Sequence, residues 1–441
     1  MEEAQAVARR ARASCDLLKG PVRSSRDDPD FVRSYYKASR LHFIGSWKAR
    51  NEALTAALAA TAPQPAQRHL HGERAAERTI VHIDMDCFFA AVAEQEDPVL
   101  RGKPLAVCHS ASGRGSAEVS SANYEARRYG VRAGMFMREA QARCPQLVVM
   151  PYQFERYQEI SDAVYRILLQ HTACVAAVSC DEAYMDVTGL EEGAAVAEKV
   201  RREIFSATGC TASAGIGPNM LLAKMATARA KPDGLFLIAA HEAAEHLRGM
   251  PLKALPGVGR VLRGRLAEMN LHTCDDVRRS RRELLQQRLG EKTGGAVWDH
   301  AHGVDRRAVT QPQPRRSVSA ECNWGVRLDS LEDGFRFVDD LAREVEDRLR
   351  TMGSRGGHTL TLKLKRRKKG APEPPKFMGM GACDALSRSA SSARLLSSAE
   401  DLAADAKRLL QALQVPPSEI RGLGLVVSRL AEALEDPKGA A

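Results

Sequence analysis

The sequence predicts an α+β protein assembled from about two to four modules. Three observations predict it. The chain has 441 residues, too many for one compact core. Short apolar runs such as TIVHID (79–84) occur beside amphipathic stretches of helical period, so strands and helices are both present. They alternate without the regular βαβ rhythm of a doubly wound sheet, which favours antiparallel strands. A composition of 44% hydrophobic and 27% charged residues is that of a folded globular chain.

In order, residues 1–29 are polar and read as a disordered N-terminus. FVRSYYKASRLHFIGSWKARNEALTAAL (31–58) reads as one or two helices carrying a cluster of aromatics, and ATAPQPAQRHLHGERAAER (60–78) as a linker. The strand TIVHID leads into the helical CFFAAVAEQ (87–95). After a mixed segment come the helix QFERYQEISDAVYRILLQHT (153–172) and the strand–turn–strand VAAVSCDEAYMDVTG (175–189). A helix (194–208), the strand TASAGIG (211–217) and the helix NMLLAKMATARA (219–230) follow. Residues 246–310 are helical and contain the turn LPGVG. From 317 to 430 the strand-rich VSAECNWGV and HTLTLKLK alternate with two helices, and GLGLVVSRL closes a module of its own.

The 65 Lys+Arg against 55 Asp+Glu give a net charge of +10, which attracts polyanions, nucleic acid first and acidic membranes second. A plain basic surface would carry the same excess. The ten cysteines include no CxxC pair, so neither a zinc framework nor a disulfide scaffold is suggested and reduced thiols are expected. No apolar run approaches transmembrane length, and the early acids Glu2 and Glu3 argue against a signal peptide. A soluble intracellular protein with no membrane partner is expected.

Asp84 ends an apolar strand, where its carboxylate can face a cleft. Asp181 and Glu182 are neighbours, and on a flat strand would point to opposite faces, so they serve one site only if the backbone turns there. Three converging carboxylates suit Mg²⁺, and two such ions can activate a 3′-hydroxyl and stabilise leaving pyrophosphate. Each acid alone could equally be a turn residue or a helix cap; Asp86, just before CFFAAVAEQ, is as good a cap as a ligand. Tyr124 and Arg127, at i, i+3, share a helical face and could grip phosphate oxygens. Lys224 and Lys231 would also share a face, which by itself reads as solvated. LPGVGR (255–260) looks like a helix-hairpin-helix turn, with Gly257, Val258 and Gly259 presenting backbone N–H groups to a phosphate. In TLTLKLK, Leu360, Leu362 and Leu364 alternate with Thr361, Lys363 and Lys365, as suits a strand lying on a DNA backbone or a lysine-guarded edge strand.

DMDCFFAAVAEQ and VSCDEAYMDVTG resemble the two signature motifs of Y-family translesion DNA polymerases. SANYEARRYGVRAGM (121–135) and ATARAKPDG (226–234) match that family in the same order. The resemblance covers about residues 30–430. It implies a right-hand arrangement: palm at 79–101 and 156–245, fingers at 102–155, thumb at 246–315. A little finger at 316–432 and a tail at 433–441 complete it, behind an N-terminal helical extension and linker at 30–78. It makes Asp84, Asp181 and Glu182 catalytic ligands of two Mg²⁺ ions, with Mn²⁺ able to substitute and the Met85 carbonyl also on a metal. Phe89 falls at a steric gate against the ribose 2′-hydroxyl. Asp84, Met85, Asp86, Cys87 and Phe88 join it around the nucleotide, with Ser121, Ala122, Asn123, Tyr124, Glu125, Ala126, Arg127 and Lys231. Lys224 receives no such support.

SRLHFIGSWKAR (39–50), RRSVSAECNWGVRL (315–328) and KFMGMGACDALSRS (376–389) resemble the reversionless branch, the eukaryotic deoxycytidyl transferase. That resemblance implies that Arg40, not a template base, pairs with incoming dCTP. Leu41 would take the place of the evicted template guanine, and a loop including Lys376, Met380 and Gly381 would hold that guanine. The chemistry agrees: a guanidinium offers parallel N–H donors, and cytosine presents adjacent O2 and N3 acceptors. The expected partners are primer–template DNA, dCTP, other translesion polymerases and a sliding clamp, and the expected location is the nucleus. A general bypass polymerase, a non-catalytic scaffold and a nucleotidyl cyclase are the competing readings. The stretch from Val107 to Ser121 is short for some relatives, and docking modules expected at either end are not visible, as in a catalytic fragment or a reduced homologue.

Overall fold

Twelve strands occur among the described residues. They are β1 (Ile80–Met85), β2 (Leu105–Val107), β3 (Ser121–Ala122), β4 (Val148–Met150), β5 (Val175–Ser179), β6 (Glu182–Asp186), β7 (Ala212–Gly217), β8 (Leu235–Leu237), β9 (Ser317–Cys322), β10 (Gly357–Arg367), β11 (Cys383–Leu396) and β12 (Ile420–Leu430). The computed structural model describes residues 1–14, 24–59, 61–63, 78–109, 117–190, 192–310 and 315–431. Most of the expected linker and part of the Val107–Ser121 stretch lie outside them. Two units result, one of Met1–Ala49, Gly102–Tyr152 and Gln313–Ala441, the other of Arg50–Arg101 and Gln153–Pro312.

In the second unit β1 lies centrally in a five-stranded sheet of order β5-β6-β1-β7-β8. It pairs antiparallel with both β6 and β7, whereas β7 and β8 run parallel. The parallel pair departs from the all-antiparallel expectation because the helix Met220–Ala230 serves as a crossover connection between its strands. Gly215 lets that helix settle on the sheet. A Cβ there would stand 2.1 Å from the Ala223 carbonyl oxygen and 2.2 Å from the Thr227 nitrogen. Helices Arg260–Glu268, Cys274–Arg279, Arg282–Leu289 and Glu291–Ala301 share a core of Leu266, Val277, Leu285, Leu289 and Val297.

In the first unit β2 pairs antiparallel with β3 and parallel with β4, a second departure, since about 40 residues with two helices separate β2 from β4. A larger antiparallel sheet has the order β11-β10-β12-β9. Helices Leu331–Thr351 and Ala399–Leu413 bury Phe337, Leu341, Val345, Leu402, Leu409 and Leu410 in the core they share with this sheet. The helix Phe31–Ala38 adds Phe31, Val32 and Tyr36 to the same core. β10 has a partner on each side, so the lysine-guarded edge-strand reading of TLTLKLK is wrong, although its alternation holds, with Leu360, Leu362 and Leu364 at most 1% exposed. The expectation of disorder over 1–29 also fails in part. Residues Glu2–Ser14 form a helix with Ala4, Val7 and Ala8 buried, and Gln5 donates to the Leu147 carbonyl at 3.2 Å. Ser25 Oγ donates to the Arg327 carbonyl at 2.7 Å. Small apolar side chains hidden among charged ones drive this packing, and a polar average conceals them.

Candidate active site

β1 and β6 set Asp84 directly opposite Glu182, and opposed residues of two strands share a face, so these carboxylates stand together. His82, two residues back along β1, lies on that face as well. Asp181 enters from the turn before β6, where the Met85 amide donates to the Asp181 carbonyl at 2.9 Å and staples β1 to the turn. The backbone therefore turns where the neighbouring acids require it. The Ser179 hydroxyl hydrogen-bonds the Asp181 carboxylate.

Two lysines reach the trio. Lys231 Nζ donates to Asp84 Oδ1 at 2.5 Å and to the Met85 carbonyl at 3.3 Å, and Lys224 pairs with Glu182. His82 Nε2 lies 2.7 Å from Glu182 Oε1, and its Nδ1 lies 2.8 Å from Thr227 Oγ1. A neutral imidazole serving the carboxylate carries its proton on Nε2 and accepts from the Thr227 hydroxyl at Nδ1. Burial lowers the pKa of His82, against the pull of Glu182, and so favours that neutral form. Burial pushes the Asp84 and Asp181 carboxyls up, with Lys231 pulling each partly back. Burial acts on Glu182 in the same sense, but the hydrogen bonds from His82 and Lys224, with the Lys224 charge, override it and hold its pKa down at about 2. Among the described residues no group of three or more His, Cys, Asp or Glu is drawn close enough to hold an ion. What the trio offers is three carboxylates and a carbonyl, the hard oxygen donors Mg²⁺ selects, with two ammonium groups resting among them.

Asp86 turns out to be neither cap nor open ligand. It is 2% exposed and accepts from Ser213 Oγ and Thr211 Oγ1, each at 2.9 Å, and from the Asp233 amide at 2.8 Å. The N-cap position of the helix Phe88–Glu96 belongs to Cys87. Phe88 and Phe89 are buried, and Phe89 stacks on Tyr157 with ring centroids 4.2 Å apart and planes within 13°. The helix Met220–Ala230 stops one residue before Lys231, which is extended, so Lys224 and Lys231 share a site and not a helical face. Sequence reasoning passed over Lys224, His82 and Thr227. The i, i+7 spacing of the lysines and the i, i+2 spacing of His82 and Asp84 were the available signals. Gly257, at φ +90°, and half-buried Val258 lead to Gly259 at the N-cap of the helix Arg260–Glu268.

The other predicted residues belong to the first unit. Ser121 and Ala122 form β3. The Asn123 side chain accepts from the amides of Ala126 (2.9 Å) and Leu105 (3.0 Å) and donates to the Lys103 carbonyl, so it holds the short helix Tyr124–Arg128 in place. Ala126 is buried, and Glu125 pairs with Arg128. The Arg127 guanidinium lies 4.5 Å from the Tyr124 ring centroid, as one shared helical face requires. Arg40 opens the helix Arg40–Ala59, and its Nη1 donates to the Ser120 carbonyl at 3.4 Å. Leu41 beside it is 72% exposed. Lys376 Nζ pairs with Glu118 at 3.0 Å, so Arg40 and the 376–381 loop touch one short segment. That loop is pinned by Trp324 Nε1 donating to the Phe377 carbonyl at 2.8 Å, with Phe377 and Met380 exposed and Gly381 at φ +68°. Lys363 is exposed and Lys365 half-exposed, alternating with the buried leucines of β10.

Comparison with known proteins agrees with this geometry. The impB/mucB/samB family matches residues 83–228, its C-terminal domain residues 315–439, and the DNA polymerase-iota thumb domain residues 253–305. DNA repair protein REV1 of Arabidopsis thaliana is 44% identical over 423 residues, covering 94% of this chain and 38% of that protein. DNA polymerase IV of Actinobacillus pleuropneumoniae serotype 3 (strain JL03) is 37% identical over 299 residues, covering 66% of this chain and 83% of that protein. A solved Y-family DNA polymerase chimera superposes with a TM-score of 0.66 at 25% identity, covering 80% of this chain and 99% of that one. The chain spans less than half the length of the DNA repair proteins it matches. The paired strand carboxylates, the thumb and the C-terminal sheet module, taken with these matches, place the chain in the impB/mucB/samB family of Y-family DNA polymerases.

Proposed function

We propose that this chain is a Mg²⁺-dependent deoxycytidyl transferase of translesion synthesis, adding dCMP to a primer end opposite guanine, damaged guanine or an abasic site. The observation that carries the reading is the turn at Arg40. A guanidinium at the start of a helix, beside a leucine 72% exposed, suits a protein template with its base-displacing neighbour. Asp84, Asp181, Glu182 and the Met85 carbonyl would hold two ions, which supply Lewis-acid activation of the primer hydroxyl and charge neutralisation at the triphosphate. Lys231, resting on Asp84, is then free to meet a triphosphate oxygen, and Lys224 with His82 keeps Glu182 ionised. Tyr124 and Arg127 grip the triphosphate. Phe89, stiffened by its stack on Tyr157, excludes a 2′-hydroxyl. Gly257 to Gly259, Lys363, Lys365 and the 376–381 loop would meet DNA. Palm, fingers, thumb and little finger would keep the boundaries expected from the sequence, Mn²⁺ could replace Mg²⁺, and the place of action would be the nucleus. Other translesion polymerases and a sliding clamp are the proposed protein partners.

A general bypass polymerase with ordinary base templating is the second reading, favoured by the likeness to DNA polymerase IV. Single-nucleotide extension with each dNTP opposite each template base decides between them. The transferase reading expects dCTP to dominate whatever the template; equal use of all four opposite their complements would leave only the second reading.

A further inference from the structure

We infer that Arg348 is a positioning residue that clamps the Arg40 turn onto the C-terminal sheet module and so sets the nucleotide preference. The inference rests on the protein-template reading above and extends it to a residue outside the turn. Arg348 lies near the end of the helix Leu331–Thr351, between Val345 and Leu349, both buried in the module's core. Its Nε donates to Glu344 at 2.7 Å, one helical turn back, which fixes the direction of the fork. Nη1 donates to the Ser319 carbonyl of β9. Nη2 donates to His42 Nδ1 at 2.8 Å, and the guanidinium carbon lies 4.7 Å from the centroid of the Tyr36 ring.

Tyr36 stands four residues before Arg40 and His42 two after it. One planted guanidinium thus holds both flanks of the break at Ser39, where ψ of 115° separates the helices Phe31–Ala38 and Arg40–Ala59. The two flanking rings also touch, with centroids 5.3 Å apart. Arg315 Nη2 donates to the Gly45 carbonyl at 3.3 Å one turn further on. Burial lowers the pKa of His42 against the pull of the Glu344 carboxylate, whose Oε1 lies 3.3 Å from the same Nδ1 that faces the fork. At the turn this clamp holds, Leu41 is 72% exposed and Arg40 half-buried with its Nη1 on the Ser120 carbonyl, while Phe43 and Trp47 are buried. A fork that holds both flanks fixes where the Arg40 side chain starts, and a bidentate contact to a base tolerates little displacement. Lysine cannot reproduce three directed donations and a stacked plane.

The test uses Arg348→Met, which keeps the aliphatic stem, in the full chain and in an Arg40→Ala background. Amide hydrogen exchange over residues 36–47 should rise in Arg348→Met, with the core of the Leu331–Thr351 helix still protected. The preference for dCTP over the other nucleotides opposite an abasic site should fall roughly tenfold, the scale of one lost charge-assisted hydrogen bond. In the Arg40→Ala background the same change should add nothing. Arg348→Lys should restore only part. Unchanged exchange over 36–47, or an equal further loss in the Arg40→Ala background, would overturn the clamp. If exchange rises but Arg40→Ala itself keeps the dCTP preference, the clamp stands and the protein-template reading fails. Should Arg348→Met not fold, His42→Leu removes the acceptor from the other side and must show the same pattern.

Discussion

The carboxylate site and the Arg40 turn are built on opposite plans. Asp84 and Glu182 sit on central strands of one sheet, each already matched by an ammonium group, with His82 on the Glu182 oxygen that Lys224 also holds and Ser179 on the Asp181 carboxylate. Arg40 begins a helix at the surface, and among the described residues its guanidinium donates to one carbonyl at a long 3.4 Å. A group that stabilises charge in a transition state must be aimed in advance and kept from relaxing. One that reads a base must keep donors available until the base arrives. On the proposed function the contrast separates reaction from selection, and substitutions on each side should then separate them too.

The largest effect is expected at the reaction side. Asp84→Asn should lower primer extension by about 10³-fold or more while primer–template affinity stays within a few fold. Filter binding and single-turnover extension on the same preparations check both, and near-normal turnover would break the assignment of chemistry to the trio. Phe89→Ala should raise rCTP use relative to dCTP on the order of tenfold. It also loses the Tyr157 stack, so the ratio within the variant, and not the rate, is the reading. Lys363→Ala and Lys365→Ala touch neither side of the comparison. Each should weaken DNA binding alike on all sequences and shrink the salt slope by about one.

The smallest effect concerns protons. Glu182 is held at about 2 against an ordinary 4.5, so its contribution to stability is complete above 4.5 and drains away as pH falls toward 2. Asp84 and Asp181 are raised, so their burial costs stability when they are ionised and the cost is relieved on acidification. Glu182→Gln should therefore flatten the acid limb of denaturant midpoint against pH, and an unchanged limb would contradict the His82–Lys224 account. At neutral pH, Mg²⁺ should raise the melting temperature of the parent chain and not of Asp84→Asn.

Legibility divides along the same line. Strong periodicity made the helices Phe154–His171 and Gly193–Thr208 readable to within a residue or two, and the apolar TIVHID made β1 readable. β11 went unread as a strand because CDALSRSASSARLL is poor in β-branched and aromatic residues; long-range pairing with β10 imposes it. The trio was visible as residue types, but its convergence depends on the register of β1 with β6, which spacing does not encode. Lys224 was set aside as solvated because nothing in the local pattern tells that Gly215 brings its helix down onto the sheet. Arg40 has no local signal at all beyond the motif around it.

Dividing reaction from selection is tested most directly by dNTP insertion opposite an abasic site with the parent chain and Arg40→Ala. The parent should insert dCMP in preference to the other three. The variant should lose about 1–3 kcal/mol of that discrimination, the scale of one bidentate base contact, while its Mg²⁺-dependent turnover on matched templates persists. An Arg40→Ala protein that still strongly prefers dCTP would contradict it.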